Sequence, residues 1–261
     1  MAENLPKVNS LIEAAGQNFD PVNKIHEHVC GFHFYSHDMS RQVESHHYCS
    51  HLKDEIRQCV IYDSNRPDAR LIGVEYIISA RLFQSLPEEE KIYWHSHVYE
   101  VKSGMLICPF IPVVPQAAVD KAEKVVMEEL IDTYGKTWHF WQVDRGDPLP
   151  YGNNLLFGTS FDDFVSVVLI DIHSFLGPPQ LMMAFLDDFQ LSQKILDDRD
   201  RRFNVSTAHY RKNRENIHPK CNRDLKADHW ASRDDGMAYQ TEMKLVEQKS
   251  LPTKEQRSVQ K

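Results

Sequence analysis

A period of two in the first half of this 261-residue chain constrains its fold more than any other feature. Over residues 42–52, Val43, Ser45, His47, Cys49 and His51 alternate with Glu44, His46, Tyr48 and Ser50, so the two sets fall on opposite faces of a strand. Lys53-Asp54-Glu55 supplies a turn and residues 56–62 resume the alternation, which predicts a β-hairpin. Residues 70–79 are rich in β-branched and aromatic side chains and predict a third strand, and residues 105–110 a fourth, ended by the prolines at 109, 112 and 115. An acidic turn after Pro87 predicts a short helix ending near Trp94. A stripe of Val119, Ala122, Val126 and Leu130 predicts a longer helix over 117–134, with Gly135-Lys136 as its stop. Strands over 137–143 and 181–186 and a helix over 191–202 follow. Hairpins first and a strand–helix–strand unit later predict a single α+β domain: a mainly antiparallel sheet with a few packed helices.

The domain is expected over 21–239. Residues 1–20 hold few apolar anchors and read as a flexible N-terminus, and residues 240–261, mostly Lys, Glu, Gln, Ser and Thr, read as a disordered tail. With 38 acidic against 30 basic residues and a net charge of −8, a nucleic-acid partner is not expected. No run of about 20 apolar residues is present, so no transmembrane segment is expected. The start of the chain lacks the basic and apolar regions of a secretory signal, which predicts a cytoplasmic protein. Its five cysteines (Cys30, Cys49, Cys59, Cys108, Cys221) are then expected as reduced thiols.

Histidine is the compositional outlier, with 14 residues. His46-His47-Tyr48-Cys49-Ser50-His51 places His47, Cys49 and His51 on one face of the predicted hairpin, and imidazole and thiolate are good ligands for zinc or iron. A second group, His95-Ser96-His97 with Glu100, has the opening of a cupin metal site, although its glutamate spacing is one residue short and the later histidine is missing. His139 sits on the 137–143 strand. The candidate ligands are therefore His46, His47, Cys49, His51, His95, His97 and His139, with Glu75 or Glu100 for base or ligand duty. The bland alternatives are solvated histidines on the hairpin and a buried polar network around His95. Gly135-Lys136-Thr137 is no phosphate loop, because Leu130 stands where a glycine is required.

Several stretches together resemble the oil body-associated proteins: HHYCSHLKDEIRQCVIYDS (46–64), ARLIGVEYIIS (69–79), LPEEEKIYWHSHVYEVKSG (86–104), YGKTWHFWQVDRGDPLPYG (134–152), PPQLMMAF (178–185) and NIHPKCN (216–222). The resemblance covers roughly 26–225 and implies association with lipid droplets, with no settled reaction or cofactor. It also implies that the histidines matching His46, His47, His51, His95, His97, His139 and His218 belong to the family pattern, together with Cys49. The family runs from LPxG almost directly into PQLMM, whereas residues 153–177 intervene here. That segment is expected to be an insertion or a retained intron, and transcript reads joining the codons of Gly152 and Pro178 test the second origin.

Three functions follow. The first is a soluble protein at the lipid-droplet surface, acting on droplet stability without an established reaction. The alternative is a metal-dependent enzyme using the His-rich site on a small or lipid-derived molecule, with zinc or iron activating water or oxygen. The third is a binding module enclosing an apolar ligand or haem among Trp94, Trp138, Phe140 and Trp141. Substrate and oligomeric state are not legible in the sequence.

Overall fold

A computed structural model describes residues 16–111, 113–150, 179–233, 235 and 237–241. The inserted segment 153–177 and most of the two predicted flexible ends lie outside the described residues. The order along the chain is α1 (Asp20–Asn23), β1 (Glu27–Tyr35), β2 (Asp38–Lys53), β3 (Ile56–Tyr62), β4 (Leu71–Ser79), α2 (Ala80–Gln84), α3 (Glu88–Lys91), β5 (His95–Ser96), α4 (Val98–Ser103), α5 (Gln116–Leu130), β6 (Thr133–His139), β7 (Gln180–Met183), α6 (Gln193–Phe203) and α7 (Thr207–Asn213).

The strands close into a barrel. β4, β3, β2, β1, β7 and β6 are hydrogen-bonded in that order, all antiparallel, and β6 returns to pair with β4 from Gly73↔His139 to Ser79↔Thr133. This overturns the open sheet of an α+β domain expected from the sequence. The local patterns give hairpins, but closure rests on β4–β6 and β1–β7 pairings between segments far apart in the chain, which no local period encodes. Residues 105–110 form no strand; only an isolated bridge, Ile107↔Cys30, is made there. Gly135-Lys136, read as a helix stop, lies inside β6, and the helix before it ends at Leu130.

The register identifies one inward face. Val29, Gly31, His33 and Tyr35 of β1 face Val43, Ser45 and His47 of β2, and the same face continues through Cys59 and Ile61 of β3, Glu75 of β4, Thr137 and His139 of β6 and Met182 of β7. Each end of this interior is apolar. Val29, Cys49, Cys59 and Ile77 cluster with Met127 and Leu130 of α5, so α5 stoppers one end. Tyr35, Val43, Ile61 and Met182 pack with Trp141 at the other. Between these two apolar layers lies a polar one: His33, His47, Glu75, Thr137 and His139, each nearly or wholly withdrawn from solvent. Outside the barrel, Phe32, Phe34, Leu181 and Met183 are covered by Leu191 and Leu196 of the α6 region.

Cys49 and Cys59 are directly opposed on β2 and β3 and form a disulfide, their Cα atoms 4.1 Å apart. The expectation of reduced thiols fails for this pair and holds for Cys30, Cys108 and Cys221. The bridge closes a loop of about ten residues, for which chain-entropy arguments give about 2–3 kcal/mol. The double substitution Cys49→Ala/Cys59→Ala is expected to lower the urea midpoint accordingly, and adding reductant is expected to shift the wild-type chain but not the variant.

Candidate metal centre in the barrel

The polar layer is completed by a segment that is not part of the six-strand wall. β7 pairs with β1 only at Phe34 and Tyr35 and with β6 only over Thr137–His139. The remaining gap between β1 and β6 is filled by β5, which pairs His95 with Gly135 and Ser96 with Tyr134, and by Ile107, bridged to Cys30. His95 of β5 and His97, the residue just beyond it at the start of α4, both reach Glu75 in the barrel, while the Ser96 amide donates to Asp228 Oδ1 at 3.1 Å. Glu100 follows in the first turn of α4 and is buried. Thus the strand wall brings His33, His47, Glu75 and His139, and the plugging segment brings His95, His97 and Glu100.

Glu75 is the hub. Its Oε2 lies 2.9 Å from His47 Nε2, and its Oε1 lies 3.3 Å from His97 Nε2 and 3.4 Å from His95 Nε2. Glu100 Oε2 stands 3.9 and 4.0 Å from the same two nitrogens of His95 and His97. The His33 ring lies 5.0 Å from that of His47 and 5.6 Å from those of His95 and His139, centroid to centroid. The backbone is shaped to this cluster at Gly135: a Cβ there would sit 2.0 Å from Glu75 Oε1 and 2.7 Å from His95 Nε2.

Among these close approaches only His97 Nε2 and Glu75 Oε1, 3.3 Å apart, have the geometry of a hydrogen bond. His33 Nδ1, both ring nitrogens of His47, His95 and His139, and Glu100 Oε2 are buried with no hydrogen-bond partner. The 2.9 Å approach of His47 to Glu75 is off the line of a hydrogen bond. His97 is the most informative. Thr133 Oγ1 donates to the Leu130 carbonyl at 2.6 Å, so its oxygen is the acceptor for His97 Nδ1–H at 2.7 Å. That places the proton on Nδ1 and turns the Nε2 lone pair of a neutral ring toward the Glu75 carboxylate. Two acceptors facing each other in a dry interior are unfavourable, and a cation between them removes the conflict.

The titration directions differ within the cluster. Burial holds His97 below the ordinary histidine value against the opposing pull of Glu75. Burial, with the charge of His47 adding to it, takes His139 down to about 3, and the same two causes hold His33 well below its usual range. Burial alone would raise Glu75, yet the facing imidazoles of His47, His95 and His97 hold it well below the carboxylate range. Burial also pulls His95 down, but Glu75, Glu100 and Asp228 leave it above the usual value. Glu100 is pushed up to about 8, chiefly by burial, with Glu75 and Asp228 adding to it against His95. The neutral form is thus favoured at His33, His97 and His139, which suits them as ligands for a divalent transition metal, whereas His95 would have to give up its proton to bind one.

Of the residues singled out in the sequence, the structure therefore brings together His47, Glu75, His95, His97, Glu100 and His139. It does not bring in the other three. Cys49 is held in the disulfide and offers no thiolate. His46 points to the outer face of β2, where its Nε2 meets Glu44 at 2.9 Å and its Nδ1 meets His28 at 3.1 Å. His51 is half-exposed at the strand end, where its Nε2 accepts from Arg57 at 2.7 Å. His33 was missed because β1 went unread, although Val29, Gly31, His33 and Tyr35 alternate with Cys30, Phe32 and Phe34 in the same way as the hairpin.

Comparison with known proteins places the chain. The family described as "Protein of unknown function (DUF1264)" matches residues 19–174 and 171–218. Oil body-associated protein 1B of Arabidopsis thaliana is 42% identical over 224 residues, covering 82% of this chain and 79% of its own length. The chain belongs to the oil body-associated protein family. Two maize members agree: oil body-associated protein 1A, 43% identical over 223 residues (82% of this chain, 80% of the relative), and oil body-associated protein 2A, 37% identical over 235 residues (89% and 81%). The family resemblance read from the sequence is thus borne out. No solved structure matches this oil body-associated family member, and no described helix is long and apolar enough to cross a membrane.

Proposed function

We propose that this chain works at the surface of oil bodies as a barrel that carries a divalent transition metal, zinc or iron, around Glu75. The oil-body part rests on the names of its relatives, which match over four-fifths of the chain. It is supported by an exposed apolar loop between the barrel-plugging segment and α5, in which Ile111 and Val113 are 67% and 82% exposed. The metal part rests on His97 Nε2 and Glu75 Oε1, 3.3 Å apart with the ring proton drawn to Nδ1 by Thr133, and on the buried ring nitrogens of His47, His95 and His139, which have no hydrogen-bond partner. A metal-dependent enzyme is the less favoured reading, because no observation in the relatives or the site points to a substrate.

Flotation of the full chain with phospholipid-coated triacylglycerol droplets tests the first part. The chain is expected in the floating layer, and Ile111→Ser/Val113→Ser is expected to weaken partitioning to the droplets by roughly a hundredfold or more, since burying each aliphatic side chain is worth about 1.5–3 kcal/mol. A wild-type chain that stays in the aqueous layer overturns it. For the metal, thermal unfolding of tag-free protein after chelation is expected to recover on adding Zn2+ or Fe2+. At about 100 times Kd, linkage supplies about 2.7 kcal/mol, roughly 5–10 °C in Tm for a chain of this size. An unchanged Tm and no retained metal would refute that part.

A further inference from the structure

The barrel interior holds more ligand than one ion can use. Two triplets of side chains each keep their ligand atoms within 4.8 Å of one another: His33, His47 and Glu75, and Glu75, His95 and His97. The two share only Glu75, and they share it through different oxygens. Oε2 faces His47 at 2.9 Å, whereas Oε1 faces His97 and His95 at 3.3 and 3.4 Å. The edge of a tetrahedron of ligands around a metal at about 2.0 Å is about 3.3 Å, so the Oε1 distances already have the spacing of one coordination shell. Each half also has a further group in reserve. Glu100 Oε2 is 3.9 and 4.0 Å from the nitrogens of His95 and His97, and His139 stands beside His33 with both of its ring nitrogens unpartnered.

We infer that the centre is dinuclear, with two divalent first-row transition metals bridged by the Glu75 carboxylate, one held by His33 and His47 and the other by His95, His97 and Glu100. The inference rests on the metal reading above and deepens it. A single ion on the Oε1 side would leave His33 and His47 as buried imidazoles with unsatisfied nitrogens, and one on the Oε2 side would strand His95 and Glu100; either leaves groups whose desolvation is uncompensated. A carboxylate bridging through both oxygens suits metals about 3.5–4 Å apart, the usual separation of two-metal sites. Two dications exceed the charge of Glu75 and Glu100, so hydroxide or another small anion between the ions completes the balance.

The test is a count. Tag-free full-length protein is stripped with chelator and titrated with Mn2+ and, separately, Zn2+, bound metal being measured by elemental analysis after gel filtration. Two equivalents per chain, with an exchange-coupled signal in the electron paramagnetic resonance of the Mn2+ form, are expected. One equivalent with an uncoupled Mn2+ signal overturns the dinuclear centre and leaves the metal reading standing; none overturns both. His33→Asn/His47→Asn and His95→Asn/His97→Asn are each expected to bind one equivalent, uncoupled. Since either pair of substitutions can impair folding, each variant is checked by circular dichroism, and the wild-type count and spectrum decide the matter if a variant fails to fold.

Discussion

Replacing Arg214 with leucine is expected to destabilise the protein by about 3–5 kcal/mol, among the largest single effects available in this chain. Arg214 follows α7 and is 1% exposed. Its guanidinium is paired with the equally buried Glu123 of α5 and donates to the Val101 carbonyl of α4 and to the Leu106 carbonyl, both at 2.7 Å. Removing it strands a carboxylate and two carbonyls in the interior, and the cost of leaving them unpaired exceeds the lost attraction. The same contacts clamp the plugging segment just after Glu100. Lys102 reinforces the clamp by donating to the carbonyls of Arg214, Glu215 and Ile217, each at 2.9 Å. Urea unfolding followed by circular dichroism gives the magnitude, and Glu123→Leu combined with Arg214→Leu separates its parts. The double variant is expected to recover part of the loss, because it removes the stranded charge; a double variant as unstable as the sum of the singles would show that the pair is not one unit. Metal retention is expected to fall in Arg214→Leu even under conditions where the barrel stays folded, since β5 and α4 lose their anchor.

Why the centre was only half legible in the sequence follows from how the barrel is made. His47, His95, His97 and Glu75 stood out because each lies in a segment with a readable local period or spacing, and the inward face of β2 was assigned correctly by alternation alone. Their convergence was not readable, because it depends on Glu75 of β4 lying opposite Thr137 of β6, a pairing between distant segments. The disulfide shows how fine the dependence is. With Lys53 opposite Ile56, an unbroken ladder would place Cys49 opposite Val60; an irregularity between His51 and Lys53 shifts the register by one residue and places it opposite Cys59. A one-residue slip of that kind is invisible in hydrophobic periodicity, yet it converts a candidate thiolate ligand into a cross-strand bridge. His46 and His51 were grouped with His47 by proximity in sequence, and strand geometry divides them: His46 lies on the other face, and His51 falls beyond the end of the closed interior.

The second large effect is expected from a single methyl group. Gly135 lies on β6 opposite both His95 of β5 and Ile77 of β4, and its missing side chain is the space in which Glu75 and His95 meet. Alanine at this position would put a carbon 2.0 Å from Glu75 Oε1, 2.7 Å from His95 Nε2 and 2.9 Å from His95 Cε1, closer than atoms can stand. The strand backbone is fixed on both edges by its neighbours, so the side chains must yield. Glu75 cannot retreat without leaving His97 at 3.3 Å, and its other oxygen is already against His47. Overpacking of this kind costs about 1–3 kcal/mol, an amount the fold can absorb. Binding cannot absorb it, because the displaced oxygen is the one that faces His95 and His97. Gly135→Ala is therefore expected to fold with a near-native circular dichroism spectrum and a modestly lower urea midpoint, while losing at least one equivalent of bound Zn2+. A variant with undiminished metal would refute the placement of the ion between Glu75 and His95, since the added carbon stands where these two side chains meet.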